Sequence, residues 1–413
     1  MTYDVAIVGG GVAGATLARS LALAGARVVV VEAETEFRDR VRGDMMYPWG
    51  AAELERLGLF APARASVAIE IPTWVSTIAP MPASERHFPS TTPSGLPALG
   101  FFHPELQEFL LDAAESAGAE VRRGARVVGV TPAGDGDRGG SRGPGGGRAS
   151  VAVAGRAGGP AGVEARLVVG ADGRGSRVRG WAGFTTQRDP GRLVLAGALC
   201  MGVSAPRNSV HVFITPTAGT VSIVIPMGAG RHRVYGGYEL RGGRKHLSGA
   251  AAFGGFLDLV VASGAPAEWF TGAELAGPLA AFDGADTWVE SPYRAGVALV
   301  GDAAAASDPS FGCGMSLACR DARVLADALL ARDDWNAAAG SYADEHAGYY
   351  GALHRRMDWL TQVLRETGPD ADSLRRQALP FFVTDPTRVP DVVGQGPDGP
   401  SDDLARRRFL GQA

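Results

Sequence analysis

The apolar and polar residues at the start of the chain predict alternating strands and a helix. Tyr3–Val8 and Arg27–Glu32 are nearly continuous apolar runs, which is the pattern of parallel strands buried on both faces. Between them, a glycine-rich turn is followed by Val12–Ala24, in which apolar side chains recur at helical spacing. A strand, a glycine turn, a helix and a second strand within about 30 residues predict a βαβ unit.

The remaining elements follow from the same two periodicities. Four segments alternate in the manner of strands and predict a separate antiparallel sheet with one covered face: Leu193–Cys200, Val210–Ile214, Val221–Ile225 and Arg233–Tyr238. Two further buried strands are predicted at Leu167–Ala171 and Val297–Val300. Helices are predicted from near Pro104 and at Ala250–Ser263, Met315–Leu330 and Trp335–Leu364, with an irregular, proline-rich end after them.

One segment interrupts this pattern. Residues 133–162 are rich in Gly, Arg, Pro and Ser and contain almost no large apolar side chains. This composition predicts a mobile hairpin excursion around a short strand at Ser150–Ala154. It does not mark a domain boundary, because a strand-like run resumes at Leu167.

Composition and charge exclude several classes of protein. The 413 residues, 46% of them hydrophobic, are typical of a globular chain of two or three domains. The net charge of −4 leaves no basic excess for binding nucleic-acid phosphates. Three cysteines are too few for a disulfide framework and indicate a reducing, cytoplasmic setting. The first residues are typical of a strand and not of a secretory signal, and no apolar run is long enough to span a membrane.

A glycine motif after the first strand predicts a dinucleotide site. Gly9-Gly-Gly11-Val12-Ala13-Gly14 fits the pattern G-x-G-x-x-G, in which the glycines allow a tight turn, a close approach of a pyrophosphate and close helix–strand packing. The phosphates would lie on the unpaired amides at the start of the helix. Glu32 ends the second strand, where an acid accepts hydrogen bonds from the adenosine ribose. These features do not separate NAD from FAD.

Two further motifs narrow the choice. Each follows a predicted buried strand: Gly170-Ala-Asp172-Gly173, and Gly301-Asp302-Ala-Ala-Ala-Ala-Ser-Asp308-Pro309-Ser-Phe-Gly312-Cys-Gly314. Together with the first motif they resemble, in the same order, the single-component (group A) flavoprotein monooxygenases with the para-hydroxybenzoate hydroxylase fold. The matching segments span residues 3–330.

The resemblance implies an α/β protein with a Rossmann-like FAD-binding domain, a mixed or antiparallel β-sheet substrate domain and a C-terminal helical segment. The FAD-binding domain is expected to be discontinuous, at residues 1–75, 100–190 and 286–334. The substrate domain is expected at residues 76–99 and 191–285, and the helical segment with its tail at residues 335–413.

The resemblance also implies roles for single residues. Asp302, after Gly301, would bond a ribityl hydroxyl of FAD, and Pro309 would border the space where O2 and substrate meet the flavin. Gly312 and Gly314 would let the backbone pass close to the isoalloxazine, towards which the helix from Met315 would direct its positive end.

Four other cofactor positions are carried by the same resemblance. Asp172 and Gly173 would lie near the pyrophosphate and the NAD(P)H approach, and Arg42 near the ribityl–phosphate region. His103 takes a position where relatives often place Arg or Gln against FAD. Simpler interpretations stay open. Asp172 and Asp302 could each cap a turn, Arg42 could be a surface charge, and His103 could cap its helix.

The substrate pocket is less well indicated. Met45, Met46, Tyr47 and Trp49 follow Arg42-Gly43, which the resemblance places against FAD, and could line the pocket or belong to the core. His211 and Phe213 alternate along a predicted strand and are further candidates, although a single histidine in a strand is more often structural. These apolar candidates favour an aromatic, polyketide-like or other bulky organic substrate.

The implied activity is an NAD(P)H-dependent monooxygenase reaction of the hydroxylase or epoxidase type. NAD(P)H would reduce FAD, O2 would add to give a C4a-hydroperoxyflavin, and one oxygen atom would pass to the substrate. Asp308-Pro309, and Ala305 where many relatives carry His, keep open a flavin reductase of the geranylgeranyl reductase type. A halogenase is less favoured, because the only lysine, Lys245, falls in a predicted loop and the Trp-x-Trp-x-Ile-Pro signature is absent.

Overall fold

The computed structural model describes residues 2–134, 148–154, 161–239 and 246–413. Its strands are β1 (Thr2–Val8), β2 (Val28–Val31), β3 (Met45–Met46), β4 (Ala68–Ile71), β5 (Thr73–Ile78), β6 (Ser84–His87), β7 (Ala98–Phe101), β8 (Glu120–Arg122), β9 (Val127–Thr131), β10 (Ala149–Val153), β11 (Ala161–Gly170), β12 (Thr186–Arg188), β13 (Val194–Met201), β14 (Ser209–Thr215), β15 (Thr220–Pro226), β16 (His232–Tyr238), β17 (Glu274–Asp283), β18 (Thr287–Val289), β19 (Tyr293–Arg294), β20 (Val297–Leu299) and β21 (Ala305–Ala306). Its α-helices are α1 (Val12–Leu23), α2 (Pro48–Arg56), α3 (Phe60–Ser66), α4 (Phe88–Thr91), α5 (His103–Ser116), α6 (Arg177–Trp181), α7 (Phe253–Ala262), α8 (Gly314–Leu330), α9 (Trp335–Leu364), α10 (Pro369–Thr384) and α11 (Asp403–Phe409).

The first sheet is built around the predicted βαβ unit. Its strand order is β19-β20-β11-β1-β2-β8, and β9 and β10 extend it beside β11. β1 pairs with both β2 and β11 in parallel. Alternate residues of β1 face opposite cores, since Val5 and Ile7 pack with α1, α5 and α8 while Ala6 and Val8 pack on the other side. This confirms the prediction of parallel strands buried on both faces.

The second large sheet has the order β17-β13-β16-β15-β14-β5-β6. It is mixed, because β14 pairs with β5 in parallel while the other neighbours are antiparallel. The expectation of one covered face is wrong. One face packs on the same core as the first sheet, and α7 covers the other, so that β13, β15 and β16 are buried along almost their whole length.

The C-terminal part of the chain is helical, as predicted, but more extensively. α9 has the predicted bounds, whereas the expected irregular end contains α10 and α11. Pro380 lies inside α10, and proline there misled the sequence-based assignment. None of the described helices is long and apolar enough to cross a membrane.

Two small sheets connect these parts. One has the order β3-β7-β4 and the other β12-β18-β21. The predicted excursion falls partly outside the described residues, although its short strand is present as β10. Lys245 also lies outside them. The mixed α/β architecture with C-terminal helices agrees with the predicted fold class, while the domain boundaries stay a prediction.

Candidate active site

The first two glycine turns meet at the carboxyl ends of β1 and β11. The Ala171 amide donates a hydrogen bond of 2.8 Å to the carbonyl oxygen of Val8. Gly9 has a φ of 104°, and a Cβ atom there would lie 2.4 Å from the carbonyl oxygen of Ala171. A Cβ atom on Gly14 would lie 2.0 Å from the carbonyl oxygen of Gly9. Both positions therefore require glycine, because the backbone segments touch.

The third glycine turn, at residues 301–314, joins the other two. The Val300 amide donates to the carbonyl oxygen of Gly170 at 3.0 Å, which places the ends of β20 and β11 side by side. A Cβ atom on Gly301 would lie 2.9 Å from Cβ of Ala13, so this turn also contacts the start of α1. Arg174 donates to the carbonyl oxygens of Ser307 at 2.7 Å and Ala285 at 2.9 Å. Three segments distant in sequence thus form one edge.

A cavity of about 710 Å³ opens along this edge. All the predicted cofactor and catalytic residues except Gly14 line it: Gly9, Gly11, Val12, Ala13, Glu32, Arg42, His103, Asp172, Gly173, Gly301, Asp302, Pro309, Gly312, Gly314 and Met315. Gly14 lies beneath Gly9, where it permits the close packing described above.

The start of α1 has the properties of a phosphate site. No side chain caps α1, and no acidic residue lies in its first turn. A Cβ atom on Gly11 would meet only Nε2 of Gln107, at 3.5 Å, so the cavity reaches the backbone there. Glu32 is buried at one end, where its carboxylate accepts from the Gly10 amide at 2.7 Å and the Glu34 amide at 2.8 Å. Free amides and a fixed carboxylate fit the phosphate and ribose parts of a dinucleotide.

The third turn offers polar groups without protein partners. The Asp302 carboxylate lines the cavity and has no hydrogen-bond partner among the described residues. The Ser307 hydroxyl is buried, also lines the cavity and is likewise unpaired in the described part of the chain. A buried hydroxyl left without a partner is costly unless a ligand satisfies it. These residues fit FAD, and they exclude a turn-capping role for Asp302.

Asp172 behaves differently from Asp302. Its carboxylate accepts hydrogen bonds from the hydroxyl of Ser176 at 2.5 Å and from the amides of Arg177 at 2.7 Å and Val178 at 3.2 Å. These are the first two amides of α6, so Asp172 helps the N-cap residue Ser176 to cap this helix while it lines the cavity. The capping role that the sequence left open for Asp172 is therefore observed.

His103 fixes the backbone at Gly43. It is the first residue of α5, and its Nδ1 donates to the carbonyl oxygen of Gly43 at 2.8 Å. Burial lowers the pKa of His103, so the ring is neutral near pH 7. Nε2 then carries a lone pair and has no partner in the described chain. Arg42, next to Gly43, is exposed, lines the cavity and makes no ion pair with a described residue.

The far end of the cavity is apolar and lies against the second sheet. Its wall contains side chains from β5, β13, β15 and β17 and one from the segment after β3: Trp74, Leu195, Ile223, Ile225, Phe282 and Tyr47. Tyr47 packs edge-on against Trp74, with ring centroids 5.9 Å apart. Pro309 and Gly312 lie where this apolar end meets the glycine turns. The cavity therefore joins a polar, glycine-lined arm to an apolar chamber.

Four of the predicted pocket residues lie outside this lining. Met46 is fully buried in the core, and Trp49 donates from Nε1 to the carbonyl oxygen of Val392 in the tail. His211 and Phe213 face α7 and Trp269 on the opposite face of the sheet. Side chains alternate along a strand, so assigning β14 to the wrong face displaced both predictions together. Met45 and Tyr47 are the two of the six candidates that line the cavity.

A buried charge network beside the chamber was not predicted. Arg233 in β16 donates to Asp44 from Nε at 3.0 Å and from the guanidinium end at 3.2 Å, and to Asp39 at 2.8 Å. The Tyr235 hydroxyl donates a short hydrogen bond to Asp44. This network ties the segment of residues 39–44 to the second sheet. An arginine within an otherwise apolar strand was the signal that could have revealed it.

A second acidic group supports the third turn from behind. Asp286 precedes β18 and accepts from the Asp308 amide at 2.5 Å and from the Tyr350 hydroxyl at 3.1 Å. Burial, with the nearby charge of Asp308, raises the pKa of Asp286 to about 7. Nε2 of His354 lies 2.8 Å from Asp189 and 3.8 Å from Asp286. This group fixes the backbone next to Pro309 without reaching the cavity.

Comparison with known sequences finds a family match and several relatives. The family described as "FAD binding domain" matches residues 2–339 of the chain. The chain is 31% identical over 375 residues to 3-amino-4-hydroxybenzoate 2-monooxygenase of Streptomyces platensis. This alignment covers 85% of this chain and 86% of the relative. Squalene monooxygenase of Candida glabrata is 44% identical over only 59 residues. That match covers 14% of this chain and 12% of the relative's length.

Solved structures show the same fold along the chain. A variant of the flavin-dependent brominase Bmp2 superposes with a TM-score of 0.78 at 18% identity, covering 99% of this chain and 98% of the other. p-Nitrophenol 4-monooxygenase of Pseudomonas putida gives 0.74 at 20% identity, covering 99% and 96%. The family match, the relative and the converging turns agree, and the chain therefore belongs to the family of single-component flavoprotein monooxygenases that carry this FAD-binding domain.

Proposed function

We propose that this protein uses FAD, NAD(P)H and O2 to place one oxygen atom on an aromatic, polyketide-like or other bulky organic substrate. The second oxygen atom leaves as water, and NAD(P)H supplies the two electrons. The observation that carries the proposal is the single cavity in which glycine turns meet an apolar chamber. Such a cavity can hold an extended nucleotide with its reactive ring beside an organic molecule.

In the polar arm, each of the three turns binds a different part of the nucleotide. The free amides at the start of α1 bind the phosphates, and Glu32 accepts from the adenosine ribose. Asp302 and Ser307 hydrogen-bond the ribityl chain, while Gly312 and Gly314 leave room for the flat ring. The first turn of α8 stabilises negative charge at that end of the cavity. FAD, when bound, supplies the redox and oxygen chemistry.

The protein's own contribution at the chamber is position and exclusion of water. Trp74, Ile223 and Phe282 present apolar surface to the substrate. A mostly apolar wall excludes water, which would otherwise favour side reactions before the oxygen atom reaches the substrate. Pro309 and Gly312 set the distance between the substrate and the flavin edge. We assign no protein side chain as a general base for this step.

Names of relatives support an aromatic substrate. The relative from Streptomyces platensis is described as acting on 3-amino-4-hydroxybenzoate. The aromatic and aliphatic side chains of the chamber suit a compound of that class. The structural likeness to a brominase is at 18% identity and concerns the fold alone, and Lys245, the only lysine for a halogenase mechanism, lies outside the described residues.

Labelled oxygen tests the proposal directly. The purified holoenzyme is supplied with NADPH or NADH, ¹⁸O2 and a panel that begins with 3-amino-4-hydroxybenzoate and p-nitrophenol. The expected product contains one labelled oxygen atom, and formation of the product stops when O2 is removed. Oxygen-independent saturation of an alkene would indicate the reductase instead. NAD(P)H oxidation that yields only hydrogen peroxide with every compound of a broad aromatic panel would contradict the proposal.

A further inference from the structure

One hydroxyl in the chamber has no partner in the protein. Tyr47 is only 3% exposed, lines the cavity and makes no hydrogen bond to a described residue. A Cβ atom on Gly312 would lie 3.0 Å from its hydroxyl oxygen, so this group stands at the junction of the chamber and the third turn. Burial holds the pKa of Tyr47 well above its usual range, so its proton stays in place to be donated.

A second tyrosine, Tyr235, already donates its hydroxyl proton within the protein. The hydroxyl of Tyr235 donates to Asp44, which is itself held by two hydrogen bonds from the fully buried Arg233. A carboxylate paired with a guanidinium accepts hydrogen bonds and has none to donate. The Tyr235 proton therefore points to Asp44, and only oxygen lone pairs are left for another molecule. Tyr235 also lines the cavity.

The surface around these tyrosines is apolar. Leu195, Ile223 and Phe282 supply no hydrogen-bonding side chain to a bound molecule. Polar recognition within the chamber thus depends on few groups, and in a dry site each unpaired polar group is costly.

We propose that Tyr47 and Tyr235 recognise the substrate with opposite hydrogen-bond polarity. Tyr47 donates to an acceptor group of the substrate beside Gly312, and Tyr235 accepts from a hydroxyl or amino group beside Asp44. The substrate class is an aromatic molecule with a separate acceptor and donor. This inference rests on the proposed function in placing the flavin beside Gly312, and it deepens that function by naming the residues that select the substrate.

Matched probes test the polarity by equilibrium binding. 4-Hydroxyacetophenone carries a donor and an acceptor, 4-methoxyacetophenone lacks the donor, and 4-ethylphenol lacks the ketone acceptor. Each is titrated into the oxidised FAD holoenzyme, and the change in flavin absorbance gives its dissociation constant. We expect 4-hydroxyacetophenone to bind about five- to tenfold more tightly than either analogue, as one hydrogen bond allows.

Single variants separate the two contacts. Tyr47→Phe should abolish the preference over 4-ethylphenol and keep the preference over 4-methoxyacetophenone. Tyr235→Phe should do the reverse. Asp44→Asn offers an amide donor to Tyr235 and frees its proton, so the preference for the hydroxyl probe over the methoxy probe should shrink or invert. Tyr293→Phe, at a hydrogen bond to Asn336 outside the chamber, is the matched control and should leave all three constants unchanged.

The outcomes are distinct from those of the oxygen-labelling experiment. Equal affinity for the three probes in the wild-type holoenzyme, or no spectral response to any of them, would overturn the recognition proposal. Equal effects of Tyr47→Phe and Tyr235→Phe on every probe would also overturn it, because no polarity would then be assigned. The binding pattern can hold even if no oxygen is inserted, and oxygen insertion can occur without the pattern, so either proposal can fail alone.

Discussion

Two acidic residues in similar sequence contexts have different surroundings. Asp172 and Asp302 each stand near a glycine at the end of a buried parallel strand. The oxygens of Asp172 are occupied by Ser176 and the first amides of α6, whereas those of Asp302 have no partner among the described residues. Both acids therefore follow the end of a strand. The backbone after each acid decides whether its carboxylate stabilises the protein or remains available to a ligand.

The free carboxylate of Asp302 leads to a prediction on cofactor affinity. Asp302→Asn removes the charge from an acceptor that bonds a ribityl hydroxyl, and we expect FAD to bind about tenfold more weakly. Fluorescence titration of the apoprotein with FAD measures the change. Asp327→Asn, at a surface ion pair with Arg323 outside this cavity, is the control and should retain wild-type affinity. Unchanged affinity in Asp302→Asn would remove this residue from the cofactor site.

Gly14 gives a prediction that depends on space alone. A Cβ atom there would lie 2.0 Å from a backbone oxygen, so Gly14→Ala must separate α1 from the first turn. We expect a loss of about 1–3 kcal/mol in the free energy of unfolding, together with weaker FAD retention. Urea unfolding and gel filtration of the holoprotein measure both effects.

The matched glycine lies in open space within α9. A Cβ atom on Gly348 would have no neighbour within 4 Å, and Gly348→Ala should raise the unfolding free energy by up to about 1 kcal/mol because alanine favours a helix. Equal effects of the two substitutions would show that the turn is not closely packed.

At the scale of elements, structure that depends on neighbouring residues is predicted well from the sequence. Structure that depends on contacts between distant residues is not. The glycine turns and α1, α8 and α9 are encoded by neighbouring residues, and the structure confirms them. The face of β14 depends on which helix covers the sheet, and α7 lies about 40 residues later along the chain. The pairing of Arg233 with Asp44 spans 189 positions, so no local pattern contained it.

The support of the third turn by Asp286, just before β18, leads to a pH prediction. Burial holds the pKa of Asp286 at about 7, above the 3.8 of an exposed aspartate. The folded protein therefore keeps a proton that the unfolded chain releases between these values. The contribution of this group to stability is complete below about pH 4 and is lost as the pH rises to about 7.

Asp286→Asn removes this titration while keeping a side chain that can accept from the Asp308 amide. The free energy of unfolding of the variant, relative to wild type, should increase by about 2–4 kcal/mol between pH 4 and pH 8. Denaturant unfolding at several pH values measures the difference, with Asp327→Asn as the control of similar charge change. Parallel pH curves for wild type and Asp286→Asn would contradict the prediction.

At the scale of the whole molecule, the cavity exists only in the folded chain. Its polar arm combines residues near positions 9, 172 and 302, and its chamber adds residues of the second sheet. A ligand that fills this cavity binds the folded state and not the unfolded state, so it must stabilise the protein. The sequence predicted the polar arm because each turn has its own motif, but the chamber wall arises from side chains scattered over several strands.

The Glu32 end of the cavity predicts a difference between two flavins. FAD at 100 times its dissociation constant should stabilise the protein by about 2.7 kcal/mol, seen as a higher midpoint of thermal unfolding. FMN lacks the adenosine half and leaves the Glu32 end empty, so at the same concentration it should raise the midpoint much less. Equal stabilisation by the two compounds would show that Glu32 and the start of α1 do not bind the nucleotide.

The most direct test is titration of flavin-free protein with FAD, followed by gel filtration and a visible spectrum. We expect one tightly held FAD per chain in the wild type, and clearly less in variants that alter any single turn, namely Gly14→Ala, Gly173→Val or Asp302→Ala. A colourless protein that takes up no flavin, or full retention in all three variants, would contradict the account that separate turns build one flavin site.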